Sequence, residues 1–331
     1  MGQYVGLDIS LETTKVHVLD EQGKRVGTCV THPTAIEATI RQHAPEAVRI
    51  GLETGPLTTW LWQALTEVGL PMACLDARQA ALNMKINKTD DNDAEGLAHL
   101  VRSGWYREVR VKSREAMLAR SLLGARTQLL GIVTDLSNQI RGLMKTFGLV
   151  VPKGAGTVFE CAGCSRMRRP WPCCRCWTPV RARAADLDRQ LLSRVRENAA
   201  CRQLMTIPGV GAVVALSFVI ETPEAFPRSR DVGAWIGLTP RRYQSGEVDY
   251  EGHISRRGDA RLRSLLFEAA MAMLTRVRGE SELRSWGLAL RKRLGFKRAA
   301  VALARKLAVI MHAMLKTGTD FNPMPSAAAR P

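Results

Sequence analysis

The sequence predicts an α/β domain built on a mixed sheet, then a helical arm, then a mostly α-helical C-terminal domain. Three observations lead there. Short β-type runs alternate with helical patterns up to about residue 110; two long helical patterns with few breakers follow; and from Cys201 onward apolar helical patterns are separated by glycine-containing turns. With 331 residues, of which 46% are hydrophobic, the chain has enough apolar surface for more than one core. The expected division is 1–110, 111–200, 201–316 and a disordered Pro- and Ala-rich tail over 317–331.

The runs at 4–9 (YVGLDI), 15–20 (KVHVLD) and Arg25–Thr31 read as a three-stranded meander, turning at Glu21-Gln22-Gly23-Lys24. A helical pattern over Thr34–His43 precedes a fourth strand, Ala47–Glu53, which ends at the breaker Thr54-Gly55-Pro56. Thr58–Val68 is an amphipathic helix closed by Gly69, Pro71–Asp76 a fifth strand, and helical patterns resume over Arg78–Lys85 and Asp90–Arg102. The helical patterns over 112–148 and Ala182–Ala200 can pair as an antiparallel coiled-coil arm.

Between those two patterns the composition changes. Residues 161–185 hold no acid, five of the eight cysteines, six arginines and Pro170, Pro172 and Pro179, so no intact helix is expected to cross them. Cys161, Cys164, Cys173, Cys174 and Cys176 have thiolates enough for a tetrahedral zinc site. A compensated reading-frame shift over about 158–181 is favoured over zinc, and a basic loop is the third reading. Beyond Cys201 come the turn Ile207-Pro208-Gly209-Val210-Gly211, an apolar helix to about Glu221 and a short helix over Asp231–Ile236. A loop holding Ser245, Gly246 and Gly252 follows, then helices over Asp259–Arg276 and Lys297–Lys316.

Charge narrows the partner. Forty-eight Lys and Arg against 31 Asp and Glu give a formal charge of +17 and a pI near 10.1, the balance of a protein that works on a polyanion. Nucleic acid is the leading partner. No apolar run approaches a membrane span, and MGQYVGLDIS enters a strand pattern directly, so a cytoplasmic chain with reduced cysteines and no membrane partner is expected. No Walker A pattern implies ATP.

The chemistry lies in carboxylates. Asp8 ends the first strand and Glu53 the fourth, while Asp90 and Asp93, three apart, share one face at the start of a helix; Asp91 should face away. Carboxylates gathered this way repel unless cations sit among them. Two Mg²⁺ ions fit, since hard cations take oxygen ligands and a metal pair serves both oxygens of an in-line phosphoryl transfer. Taken singly, each acid reads more readily as a structural residue, a helix N-terminal or solvated strand-end acid, than as a catalytic one; the joint placement favours catalysis or metal binding. In the C-terminal domain the Gly209–Gly211 turn resembles half of a helix-hairpin-helix, whose backbone N–H groups hold phosphate; a tight turn requiring glycine explains it as well. Arg241, Arg242, Arg256, Arg257, Arg261 and Arg263 would supply further phosphate contacts, although Arg261 and Arg263 also suit the solvated face of a helix.

The runs YVGLDIS, IGLETG, KTDDNDAEGLA, IPGVGAVVAL, AWIGLTPRRYQSG and ISRRGDARLR resemble the transposases of bacterial insertion-sequence family 110, over nearly the whole chain apart from about 158–181 and the tail. The resemblance implies an RNase H-like (RuvC-like) N-terminal domain whose Asp-Glu-Asp-Asp set is Asp8, Glu53, Asp90 and Asp93. It further implies a C-terminal transposase domain with Ser245 as nucleophile, dimers or tetramers, a structured guide RNA, and a bacterial, nucleoid-associated location. Gln244 and Glu247 depart from the family pattern around that serine, and Ser255, within a basic run, competes with Ser245. Two other functions compete: a RuvC-like structure-selective endonuclease, and a nucleic-acid-binding protein without catalysis.

Overall fold

In the computed structural model, residues 2–21, 23–77, 80, 90–150, 172–222 and 226–324 are described. The chain divides into two compact units, Met1–Arg114 and Glu115–Pro331.

In the first unit, β1 (Gln3–Ile9), β2 (Thr13–Asp20) and β3 (Gly23–Val30) form an antiparallel meander. Strands β4 (Ala47–Glu53) and β5 (Met72–Leu75) join it in parallel, in the order β3-β2-β1-β4-β5, which gives the expected mixed sheet. Side chains alternate across the sheet. Val5, Leu7, Ile50 and Leu52 point to one face, where Ile36 and Ile40 of α1 (Pro33–His43) and Leu61 and Leu65 of α2 (Thr58–Glu67) meet them, all fully buried. The opposite face is covered by α3 (Asp90–Ser103), through Leu97 and Val101 against Ala73 and Leu75. Gly6 and Gly51 lie under that helix. A Cβ on Gly6 would overlap the Ala94 carbonyl oxygen, and one on Gly51 would come within 2.6 Å of Val101. Glycine weakens a strand interior, and here close backbone approach is the reason it is present. The helical pattern expected over Arg78–Lys85 lies outside the described residues apart from Ala80.

In the second unit, α4 (Arg114–Thr146) and α5 (Pro172–Glu197) run antiparallel. Arg126 pairs with Asp188, the Trp177 Nε1–H donates to Ser137 Oγ at 2.8 Å, and Leu123 and Leu191 share a core, so each step along α4 is matched by an equal step back along α5. This helix corrects the expectation that none crosses the proline-rich stretch, at least over residues 172–185. Pro172 occupies the first turn, where no N–H is needed. Pro179 is interior, but it and Arg175, whose carbonyl loses a partner, are exposed, so water can serve that oxygen, while Trp177 anchors the buried side. Residues 161–171 lie outside the described residues.

Leu123, Leu191 and Val195 continue into the core formed by α6 (Ala199–Leu204), α7 (Ala212–Glu221), α8 (Asp231–Trp235), α9 (Ala260–Thr275), α10 (Glu282–Leu294) and α11 (Phe296–Thr317). Side-chain caps start three of these helices: Asn198, Asp259 and Ser281 accept from Cys201, Leu262 and Arg284 N–H groups. Helix α10 had no counterpart in the sequence reading, because Gly287 and its run of cations obscure the apolar stripe; Gly287 lets Leu274 and Leu303 approach. The expected loop around Ser245 is instead a hairpin, β6 (Pro240–Ser245) and β7 (Val248–Ile254). The tail is ordered through Met324, since Phe321 N–H donates to Thr206 and the Pro323 carbonyl accepts from Glu282; residues 325–331 lie outside the described residues.

Gly6→Ala should force α3 off the sheet and destabilise the first unit by about 1–3 kcal/mol. A urea-denaturation midpoint equal to wild type would contradict this packing.

Candidate active site

The same tripeptide pattern ends both central strands. Gly6-Leu7-Asp8 and Gly51-Leu52-Glu53 align in the parallel register, with Leu7 opposite Leu52, so Asp8 and Glu53 stand beside one another at the carboxyl ends of β1 and β4. The leucines point into the α1/α2 core. Each acid therefore shares a face with its glycine, the face covered by α3. Lys15 of β2 lies directly across from Asp8 on that face. Both acids are half-buried. The repeated Gly-x-acid pattern was the sequence signal that could have placed α3 against this sheet face.

Helix α3 carries the other two acids. Asp93 directly precedes Ala94, whose carbonyl lies over Gly6, and is half-buried. Asp90 begins the helix, and its side chain lies outside the described residues. Among the described residues, no three His, Cys, Asp or Glu side chains are grouped closely enough to hold a metal ion. Asp8 and Glu53 are thus brought together by strand register, whereas the full set of four is not assembled among the described side chains. As a donor set, carboxylate oxygens at two adjacent strand ends suit a hard divalent cation.

A cavity of about 220 Å³ opens beside these strand ends, lined by Leu7, Ile9, Ser10, Glu53, Pro56 and Thr58 among others. It forms where the chain leaves β1 toward β2 and leaves β4 toward α2, and such divergence of loops at the carboxyl ends of strands makes a crevice. The rim is pinned. Thr58 donates to the Glu53 carbonyl at 2.7 Å and accepts from Gly55 N–H at 2.7 Å, while Ser10 bonds Thr13 and its carbonyl accepts from Thr31. On α3, Glu95 meets Lys24 of β3 at 3.0 Å, and this hydrogen bond holds the Glu95 carboxyl below its usual range.

In the second unit, Ser245 ends β6 at the tip of a hairpin exposed along nearly its whole length. Gly246 follows at φ +57, the positive angle required at the first position of a two-residue turn. Tyr243 stacks on Tyr250 at 5.5 Å, and Arg242 forks onto Asp249, holding that carboxyl below its ordinary range. Ser255 is half-buried at the hairpin's neck; its N–H donates to the Thr239 carbonyl and its own carbonyl accepts from Arg241. There the chain crosses itself closely. A Cβ on Gly237 would overlap Arg257 backbone, one on Gly258 the Trp235 carbonyl, and Arg256 adopts φ +53.

Arg241, Arg242, Arg256 and Arg257 are exposed, as phosphate contacts require. Arg261 and Arg263 are not on a solvated face. Arg261 donates to the Leu123 carbonyl, with burial pushing its guanidinium pKa down, and Arg263 donates to the carbonyls of Ile236 and Arg257. Gly209 has φ +91 and lies against α9, where a Cβ would come within 3.0 Å of the Ala269 carbonyl, so the turn needs glycine; Gly211 is the exposed N-cap of α7.

Cys29, Cys74, Cys176 and Cys201 are free thiols, and burial pushes Cys74 up to about 12 and Cys201 to about 11. Of the proposed zinc ligands, Cys161, Cys164 and the side chains of Cys173 and Cys174 lie outside the described residues, and Cys176 is exposed on α5.

Comparison with known proteins identifies the family. Residues 5–148 match a DEDD-type transposase model, and residues 201–285 match the model described as "Transposase IS116/IS110/IS902 family". The chain is 31% identical over 329 residues to the transposase for insertion sequence element IS1111A of Coxiella burnetii, covering 94% of this chain and 89% of that one. It is 28% identical over 334 residues to the "Probable family 20 transposase" of Pseudomonas aeruginosa, covering 96% and 98%, and 27% identical over 250 residues to the transposase for IS1328 of Yersinia enterocolitica, covering 72% and 75%. The class that fold and matches define is an enzyme that recombines DNA. The chain belongs to the IS116/IS110/IS902 family of transposases. No helix among the described residues is long and apolar enough to cross a membrane.

Lys24→Met should lower stability by less than about 1 kcal/mol at neutral pH, since the pair is largely exposed. The Glu95 pKa is depressed on folding, so the pair's contribution is present above the unfolded value of about 4.3 and is lost as pH falls through the folded value. The wild-type and variant denaturation midpoints should converge with acidification; a gap that persists at low pH would contradict the assignment.

Proposed function

We propose that this transposase cuts and rejoins DNA strands by phosphoryl transfer, with Asp8, Glu53, Asp90 and Asp93 holding a pair of Mg²⁺ ions and Ser245 acting as nucleophile. The observation that carries the reading is the adjacency of Asp8 and Glu53 at the ends of β1 and β4, on the face under α3. A meander followed by two parallel strands, in the order β3-β2-β1-β4-β5, supports an RNase H-like (RuvC-like) first unit. When bound, Mg²⁺ would polarise the phosphoryl oxygens and stabilise the charge that develops there. The carboxylates supply oxygen ligands, and Lys15 tempers the charge around Asp8.

Exposure at a hairpin tip favours Ser245 over the half-buried Ser255. As the Ser245 Oγ–phosphorus bond forms, the bond from phosphorus to one sugar oxygen breaks, and the proton lost by the serine balances the one taken up by the departing oxygen. Attack by another sugar hydroxyl on the phosphoserine reverses the exchange and frees the serine. Bonds made and broken are of one kind, so strands rejoin without ATP. Arg241, Arg242, Arg256 and Arg257, with the backbone N–H groups of the Gly209–Gly211 turn, would hold phosphates, while Arg261 braces α9 against α4. A structured guide RNA and assembly into dimers or tetramers belong to this reading through the family resemblance, and the +17 charge suits a second polyanion.

With Mg²⁺ and a substrate carrying element ends, Ser245→Ala should abolish the covalent protein–DNA adduct on a denaturing gel and lower rejoining by ~10³-fold or more, whereas Ser255→Ala should retain the adduct. A retained adduct in Ser245→Ala would sink the serine assignment. Asp8→Asn should lower strand cleavage by about 10²–10³-fold, and cleavage at the wild-type rate would remove the metal reading.

A further inference from the structure

The last two helices carry a charge pattern that neither catalytic reading uses. From Leu283 to Thr319 the chain contains no Asp or Glu, and its cations crowd at the corner where α10 meets α11. Arg291, Lys292 and Arg293 close α10, Gly295 turns the chain at φ +79, and Lys297 and Arg298 open α11; all five cations are exposed. No ion pair among the described residues engages any of them. The Arg291 guanidinium lies 5.3 Å from the Phe296 ring, which ties the end of one helix to the start of the next.

Helix stability explains half of this cluster. Cations in the last turn of α10 offset its dipole, so Arg291, Lys292 and Arg293 would be favoured with no ligand at all. Lys297 and Arg298 lie at the opposite kind of terminus. In the first turn of α11 the exposed N–H groups already carry positive partial charge, no acid compensates them, and two cations there oppose the folded state. A cluster placed against its own helix is explained by an external anion that gains from both the side chains and the free N–H groups.

We infer that the α10/α11 corner is a binding surface for the phosphodiester backbone of duplex DNA, separate from the Ser245 hairpin and from the carboxylate crevice. Duplex DNA presents one charge per roughly 3.4 Å along each strand, so a compact group of five exposed cations faces several phosphates at once. Guanidinium forks at Arg291, Arg293 and Arg298 and ammonium groups at Lys292 and Lys297 all donate to phosphate oxygens, which suits contact with the nucleic acid backbone. The inference rests on membership of the transposase family and not on the roles given to Ser245 or Asp8.

The test uses the full chain and a short mixed-sequence DNA duplex, with an RNA duplex of equal length as a second arm, titrated across a salt series. Lys297→Gln/Arg298→Gln should weaken binding by about tenfold or more near 0.1 M salt and reduce the slope of log affinity against log salt by about 2. Its thermal midpoint should equal or exceed that of wild type, which separates a ligand surface from a structural role. Adding Arg291→Gln, Lys292→Gln and Arg293→Gln should reduce the slope further. Weakening on the DNA duplex supports the surface. An unchanged slope on DNA, weakening confined to the RNA duplex, or a loss of affinity matched by a fall in thermal midpoint overturns it. Because adduct formation is read separately, failure here leaves the Ser245 assignment standing, and failure there leaves this one.

Discussion

The close approach of α3 to the sheet governs the first unit. Two glycines, Gly6 and Gly51, lie side by side on adjacent parallel strands and let helix backbone and Val101 settle where any side chain would intrude. That contact decides which face the strand-end acids occupy. Leu7 and Leu52 are buried on the far side, and because side chains alternate, the acids one residue later emerge on the helix side. A one-residue slip of β4 against β1 would bury Glu53 in the α1/α2 core, at a cost no isolated carboxylate could offset. The Gly-Leu-acid repeat thus couples packing to the position of Asp8 and Glu53.

A different constraint shapes the second unit. Its core is helical and continuous from α4 and α5 to α11, and the hairpin bearing Ser245 stands outside it. A two-stranded ribbon is marginal in water by itself. Cross-strand pairs, Tyr243 with Tyr250 and Arg242 with Asp249, support the ribbon, and the crossing at Gly237 and Gly258 roots it. Arg263 locks that crossing by donating to carbonyls on both strands of chain, so a cation that could have met phosphate is spent on holding the neck. Exposure at the tip and rigidity at the base are what the nucleophilic role proposed for Ser245 would require.

Positive charge in this transposase therefore serves two purposes that composition cannot separate. Arg126, Arg261 and Arg263 join helices or cap carbonyls inside the second unit, whereas Arg241, Arg256, Arg257 and the α10/α11 corner face solvent. The net +17 measures only their sum.

Much of the first unit could be read from residues alone, because the signals there are local. Alternation with period two, breakers such as Thr54-Gly55-Pro56, and an acid ending each central strand determined the strands and put Asp8 and Glu53 at their ends. The family resemblance, carried by short runs spread along the chain, was legible in the same way. The sequence could not show that β1 and β4 are neighbours in register, that the Ser245 segment is a hairpin without a core face, or that a helix continues through Pro179. Nor could it tell which arginines turn inward, since Arg261 finds its partner at Leu123, far away in the chain. Those outcomes belong to tertiary structure alone, because each depends on a partner distant in sequence: a strand to pair with, a core to exclude water, or a carbonyl that only packing brings within reach.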